Sequence, residues 1–272
     1  MSNELVSTWC KLNSSVPSSY VHPEDIRPAN SVLNTDEKIP VIDFGGQDRA
    51  DIIRKIISSA ENYGFFQNIM QNMKNGDINL LQDEVVGKYT QQLNKLGLKI
   101  LELISEGLGL NPEYFNGDLT AKPVVVSHHY PPCPEPGLTL GASIHKDPST
   151  LTILLQQEDI IGLQVFKDGA WIPIQPIPGA FVVNMGFMLQ VITNGKLIAA
   201  LHRVVTNSTI SRHTIAYFMN PTEECIVEPA KPVITSTSPQ KYRPLTFGQL
   251  KWNYMNKRGD FDAELDDPTK SS

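Results

Sequence analysis

The chain is short of cysteine, of long apolar runs and of blocks of like charge, and each shortage removes a class of function. Cys10, Cys133 and Cys225 are the three cysteines among 272 residues. They are odd in number and far apart, and no C-x-x-C pair occurs. They therefore read as reduced thiols rather than as a disulfide frame or a zinc site. No stretch approaches the roughly 20 apolar residues that a membrane-crossing helix needs. The opening Met1-Ser-Asn-Glu-Leu5 has no basic segment leading into an apolar one, so export is not indicated and a cytoplasmic location is expected. Lys and Arg number 23 against 29 Asp and Glu, for a net charge of −6. With no basic run, nucleic acid is not an expected partner. What remains is a chain with 40% hydrophobic residues, ample for the core of an ordinary globular protein. A monomer that takes a small molecule as its partner is expected.

Residues 1–38 are polar and rich in Ser, Asn and Pro, which suits an arm or a short helix, with Trp9 and Tyr20 available to pin it to the body. Ile39-Pro-Val-Ile-Asp-Phe44 has the composition of a short strand. Asp48 is placed to cap a helix in which Ile52, Ile53, Ile56, Ile57 and Ala60 recur at helical spacing. Gly64 stops it, and Phe65-Phe-Gln67 begins another strand. A long amphipathic helix is expected over 83–107, with Val86, Tyr89, Leu93, Leu96, Ile100, Leu103 and Ile104 as its apolar stripe. Short strands then follow closely, at about 124–130, 138–146, 151–156, 162–167, 170–175, 181–184, 199–205, 212–219 and 225–228. Asp168-Gly169 marks a hairpin between two of them. Phe187-Met-Leu-Gln-Val-Ile192 fits either a short helix or a distorted strand, and a last helix is expected over 247–255. So many short strands between Gly- and Pro-rich breaks argue for a sandwich or barrel.

The chemistry concentrates in Ser143-Ile144-His145-Lys146-Asp147-Pro148 and two later residues, His202 and Arg212. On a strand, positions two apart share a face, so His145 and Asp147 would point the same way. His202 lies between Ala200 and Val204 on one face of a later strand. Two imidazoles and one carboxylate make a facial triad, a donor set that suits non-haem Fe(II) and leaves positions open. H-x-D alone is a common coincidence. Its weight comes from Arg212 and Thr214, which share a face of the run Arg212-His-Thr-Ile-Ala-Tyr-Phe218. A forked cation beside a hydroxyl is what the buried carboxylate of a ligand requires. A metal triad inside a β cavity makes the expected fold mainly β with N-terminal helices, a double-stranded β-helix (jelly roll) core flanked by α-helices. His213, His129 and His22 are expected to be non-ligands, and Cys133 a buried small hydrophobe.

H-x-D, a distal His and an R-x-S-like pair ten residues beyond it resemble the plant Fe(II)/2-oxoglutarate-dependent dioxygenases. His128-His-Tyr-Pro-Pro-Cys-Pro134 is similar to their N-x-Y-P-x-C-P element, while Ile39–Phe44 and Tyr63-Gly-Phe-Phe-Gln67 resemble their N-terminal strand and helix end. Gln175-Pro-Ile-Pro178, Phe181-Val-Val-Asn184 and Val191-Ile-Thr-Asn194 resemble the hyoscyamine 6-hydroxylase-like members. The resemblance implies Fe(II) on His145, Asp147 and His202, with 2-oxoglutarate and O2 as co-substrates and ascorbate as a stimulant. It implies that Arg212, Thr214 and Tyr130 hold the far carboxylate of 2-oxoglutarate, with His128 and Asn184 as weaker members of the site. The implied reaction is oxidation, usually hydroxylation, of a small molecule of plant secondary metabolism, with release of succinate and CO2. Thr214 stands where the family has Ser, and His128 where it has Asn. Between Gln67 and Asp83 the chain is shorter than the family pattern by several dozen residues, a region that supplies part of the sheet and pocket. The alternative implied by that shortening is a catalytically silent truncated isoform that at most binds metal or small molecules. The expected organisation is a shortened N-terminal region over 1–120, the jelly-roll core over 121–230 and a C-terminal extension with a helix over 231–272.

Overall fold

The computed structural model describes residues 15–45, 48–69 and 83–256. Trp9, Cys10, most of the shortened segment and the charged tail from 257 onward lie outside the described residues.

Helix α1 (Arg49–Asn62) and helix α2 (Asp83–Gly107) precede most of the strands. The first strands are β1 (Val41–Asp43) and β2 (Phe65–Ile69). After α2 come β3 (Val124–Tyr130), β4 (Ala142–His145), β5 (Leu151–Gln156), β6 (Leu163–Lys167), β7 (Ala170–Pro173) and β8 (Ala180–Met185). The short helix α3 (Phe187–Ile192) settles the segment that could have been helix or strand. Strands β9 (His202–Val204), β10 (Arg212–Met219), β11 (Ile226–Val227) and β12 (Leu245–Thr246) and helix α4 (Phe247–Asn256) complete the described chain.

Ten of the strands form two sheets. The larger runs β1-β2-β8-β5-β10-β3 and the smaller β4-β9-β6-β7. Apart from the parallel β1–β2 pair, the neighbours are antiparallel. Strand alternation divides the side chains of the larger sheet between two cores. Phe66, Ile153, Phe181, Val183, Tyr217 and Met219 face the helices and pack with Ile52, Ile56, Leu93, Ile100 and Ile104. Phe65, Val182 and Leu154 face the other way and meet Leu163, Val165, Ile172 and Val204 of the smaller sheet. Two facing sheets with helices on the outside of one is the expected jelly-roll arrangement. Strand β8 is buried along its whole length because it is covered on both faces, which explains its near-continuous apolar run.

Several local expectations shift. Asp48 occupies the N-cap position of α1, but its side chain makes no capping hydrogen bond. Over its described residues, 15–38, the N-terminal arm is neither loose nor one helix. It forms three short 3-10 turns between Ser18 and Asn30. Tyr20 is 43% exposed. The Val16 amide, which donates to Glu135 Oε2 at 2.8 Å, and backbone bonds linking His22 to Leu138 and Asn34 to Trp171 attach the arm to the body. Asp168 and Gly169 both have positive φ, 49° and 83°, the turn that matches the twist of a tight hairpin. Cys133 is buried and Cys225 partly buried, and both are free. Among the described residues no helix is long and apolar enough to cross a membrane.

Candidate active site

Strands β4 and β9 pair so that His145 lies directly opposite His202. Asp147 is not on the strand, as alternation alone suggested. β4 ends at His145, and the chain then turns inward, so that Asp147 is 5% exposed. Its Oδ1 lies 3.5 Å from His145 Nε2 and 3.4 Å from His202 Nε2. The ligand atoms of these three residues all fall within 4.8 Å of one another. Each histidine donates its Nδ1–H to a carbonyl two residues back on its own chain, His145 to Ser143 at 2.7 Å and His202 to Ala200 at 3.1 Å. That fixes the tautomer and turns both Nε2 lone pairs inward, the second-shell device of metal-binding histidines.

The other carboxylate oxygen is engaged elsewhere. Thr152 Oγ1 donates to Asp147 Oδ2 at 2.6 Å and Asn184 Nδ2 donates to it at 2.8 Å. The structure thus places Asn184 on the ligand Asp147, while Thr152 carries no sequence signature that marks it. Burial opposes charge on Asp147, yet His202 and His145 overcome this and hold the carboxyl well below the usual carboxylate range. For His145 burial disfavours the cation, but Asp147 and the Ser143 carbonyl more than offset it and raise the pKa. Phe65 packs its ring edge-on to His202 with centroids 5.3 Å apart.

The antiparallel register of β3 and β10 builds the other end of the cavity. Arg212 lies opposite Tyr130 and Thr214 opposite His128, and cross-strand partners on one face are neighbours. The Arg212 guanidinium sits 5.5 Å from the Tyr130 ring centroid, and His128 stacks with Tyr130 at 5.8 Å. Thr214 Oγ1 is 3.4 Å from His128 Nδ1. Burial, then the Arg212 charge, lowers the His128 pKa, which favours the neutral imidazole. Burial raises the Tyr130 phenol, against the pull of Arg212 and Thr214.

Arg212 is 2% exposed, and burial lowers its pKa. Its Nη2 donates to Gln156 Oε1 at 2.8 Å, while its Nε and Nη1 and the Gln156 Nε2 have no partner. Orphaned buried donors of this kind are costly, and a ligand carboxylate would satisfy them. The triad, Arg212, Tyr130, His128, Thr214, Thr152 and Asn184 all line one cavity of about 90 Å³. His129 and His213 are exposed and bond to each other at 2.6 Å on the opposite face, clear of this cavity.

The 2OG-Fe(II) oxygenase superfamily model matches residues 121–221, a span that contains the triad and Arg212. Protein DMR6-LIKE OXYGENASE 2 of Arabidopsis thaliana is 31% identical over an alignment covering 96% of both chains. The chain belongs to the 2OG-Fe(II) oxygenase superfamily. Hyoscyamine 6-dioxygenase of Hyoscyamus niger is 42% identical over 182 residues, 66% of this oxygenase and 52% of that relative. The chain thus matches about half of that enzyme's length. Crystalline JOX2, in complex with 2OG, Fe and JA, superposes with a TM-score of 0.77 at 28% identity, covering 88% of this chain and 89% of that one. The alignment to DMR6-LIKE OXYGENASE 2 runs over 336 positions, more than the 272 residues present here. The relative therefore carries stretches without a counterpart in this chain. The donor set fits the family's cofactor and co-substrate. His145, Asp147 and His202 form a metal-binding triad for Fe(II), and the oxygenase takes 2-oxoglutarate.

Proposed function

We propose that this oxygenase oxidises a C–H bond of a small plant metabolite, usually by hydroxylation, while converting 2-oxoglutarate to succinate and CO2. The observation that carries the reading is a metal triad in one cavity with a buried arginine that lacks a counter-charge among the described residues. His145 Nε2, His202 Nε2 and Asp147 Oδ1 hold the iron. Thr152 and Asn184 keep Oδ2 occupied, so the carboxylate presents a single oxygen. Arg212, Thr214 and Tyr130 bind the far carboxylate of 2-oxoglutarate, and neutral His128 can donate one further hydrogen bond. Iron, when bound, supplies the O2 activation that no side chain here can perform. The chain's own part is to orient the dicarboxylate and to keep water from its buried end.

A wider groove of about 770 Å³ shares His145 and Asp147 and is lined by Val124, Phe218, Phe247, Tyr254 and Met255, among others. Its apolar and aromatic walls suit an organic substrate presented to the metal. The site groups all come from one chain, so a monomer suffices, with 121–230 as the catalytic unit. The free Cys133 and Cys225 are compatible with a reducing cytoplasm. A second reading, a silent isoform that binds but does not turn over, is favoured by the residues that the longer relative has and this chain lacks. Anaerobic titration with Fe(II) and 2-oxoglutarate reads binding through the visible charge-transfer band. An oxygen-dependent succinate assay over alkaloids, flavonoids and hormones then reads turnover. Substrate-dependent succinate supports the enzyme, and binding without it supports the silent form.

A further inference from the structure

Gln156 is the last residue of β5 and pairs across the sheet with Thr214 of β10. It is 8% exposed, and its amide oxygen is the hydrogen-bond acceptor that Arg212 Nη2 uses. From another side Arg212 is confined by Gly162. A Cβ there would come within 2.8 Å of Arg212 Cδ and Nε, so the guanidinium stem occupies space that a larger residue would fill. The arginine is thus held between an amide and a bare backbone, and both partners are uncharged. Among the described residues no carboxylate forms an ion pair with it, and Nε and Nη1 remain without acceptors.

A buried cation ordinarily has an anionic partner, because leaving an unpaired charge out of water is strongly unfavourable. The neutrality of position 156 leaves that partner to be brought in by the ligand. A glutamate of nearly the same shape would reach the same nitrogen, neutralise Arg212 internally and compete with any incoming carboxylate. An apolar residue would leave the charge but lose the bond that aims it. We propose that Gln156 is a specificity-determining residue: it orients Arg212 with a neutral acceptor so that the full positive charge remains for the distal carboxylate of a dicarboxylate co-substrate. This rests on the assignment of the cavity to 2-oxoglutarate and extends it to a residue that acts on the ligand through another.

The test separates charge from orientation. Wild type, Gln156→Glu and Gln156→Met are titrated anaerobically, with Fe(II) present, with 2-oxoglutarate and with 2-oxopentanoate, a 2-oxo acid of the same chain length without the second carboxylate. Wild type should prefer the dicarboxylate strongly. Gln156→Glu should bind 2-oxoglutarate on the order of 100-fold more weakly, as expected when an internal charge pair replaces an intermolecular one. It should also lose most of the preference over 2-oxopentanoate, and its ligand-free form should melt at a higher temperature. Gln156→Met should weaken 2-oxoglutarate binding by about tenfold, the scale of one lost hydrogen bond to a charged group, so that the preference over 2-oxopentanoate falls by no more than that factor and persists. Fe(II) affinity should not change in either variant. Unchanged discrimination in Gln156→Glu overturns the proposal, as does equal loss of discrimination in both variants. A wild type that does not bind 2-oxoglutarate at all overturns the reading of the cavity itself, a result distinguishable from the other two. If Gln156→Glu does not fold, the preference in Gln156→Met still decides, because its loss without any added charge contradicts the charge argument.

Discussion

The two faces of the larger sheet are made by the same strands and carry opposite chemistry. On β10, Ile215, Tyr217 and Met219 are buried and face away from the cavity, Tyr217 and Met219 in the core shared with the helices, whereas Arg212 and Thr214 look into the cavity. On β5, Leu151 and Ile153 belong to the helix side, and Thr152 and Gln156 serve the site. The named side chains are buried on both faces, so burial alone does not distinguish the faces. They differ in how polar groups are satisfied. The unpartnered buried atoms on the helix side belong to neutral groups, the Tyr89 hydroxyl and Asn68 Oδ1, whereas the cavity side leaves Nε and Nη1 of the charged Arg212 open. The lesson is that apolar packing dominates one face, and the cost of an unpaired buried charge is accepted on the other.

The sharpest break between the faces is Asp147→Ala. It should remove Fe(II) binding and oxygen-dependent succinate formation by far more than the roughly 10–100-fold typical of second-shell changes. Circular dichroism should show the fold retained. On the helix side, Phe66→Ala deletes a fully buried ring and should cost about 3–5 kcal/mol of stability. Denaturant unfolding measures this, and the metal affinity of the molecules that remain folded should be unaltered. Thr152→Val removes one donor to Asp147 Oδ2, and metal titration should show roughly 10–100-fold weaker binding with a smaller change in stability. The mildest effect lies outside both faces, at the exposed cluster of Arg49 with Glu102 and Glu106. Hydrogen bonds from Lys99 and Arg49 lower the Glu102 pKa, and Arg49 lowers that of Glu106. Folded pKa values below the unfolded ones mean a contribution fully present above the ordinary carboxylate range. It is lost as the pH falls through the folded values. Comparing wild type and Arg49→Ala by thermal melts across that range should show a small difference at neutral pH that shrinks on acidification.

Much of the site was legible because it is carried by residue types with few other reasons to recur. His145, Asp147, His202 and Arg212 have a spacing that marks them, and the structure brings them together. Thr152 and Gln156 were not legible, since each is an ordinary polar residue on a strand and gains meaning only from the β5–β10 and β5–β8 registers. Asn184 was visible as a candidate, but its bond to Asp147 rather than to a ligand was not. The position of Asp147 beyond the end of β4 also escaped alternation, because periodicity does not say where a strand stops.

Sequence by itself determined three of the four α-helices among the described residues, the order of most strands and the identity of the metal-binding and cationic side chains, because local periodicity and ligand chemistry are properties of short segments. Tertiary structure alone decided which carboxylate oxygen is free and what holds it. It also decided that Arg212 is aimed by a neutral amide instead of an acid. Those outcomes depend on contacts between residues dozens of positions apart, and only strand pairing sets the distances between them.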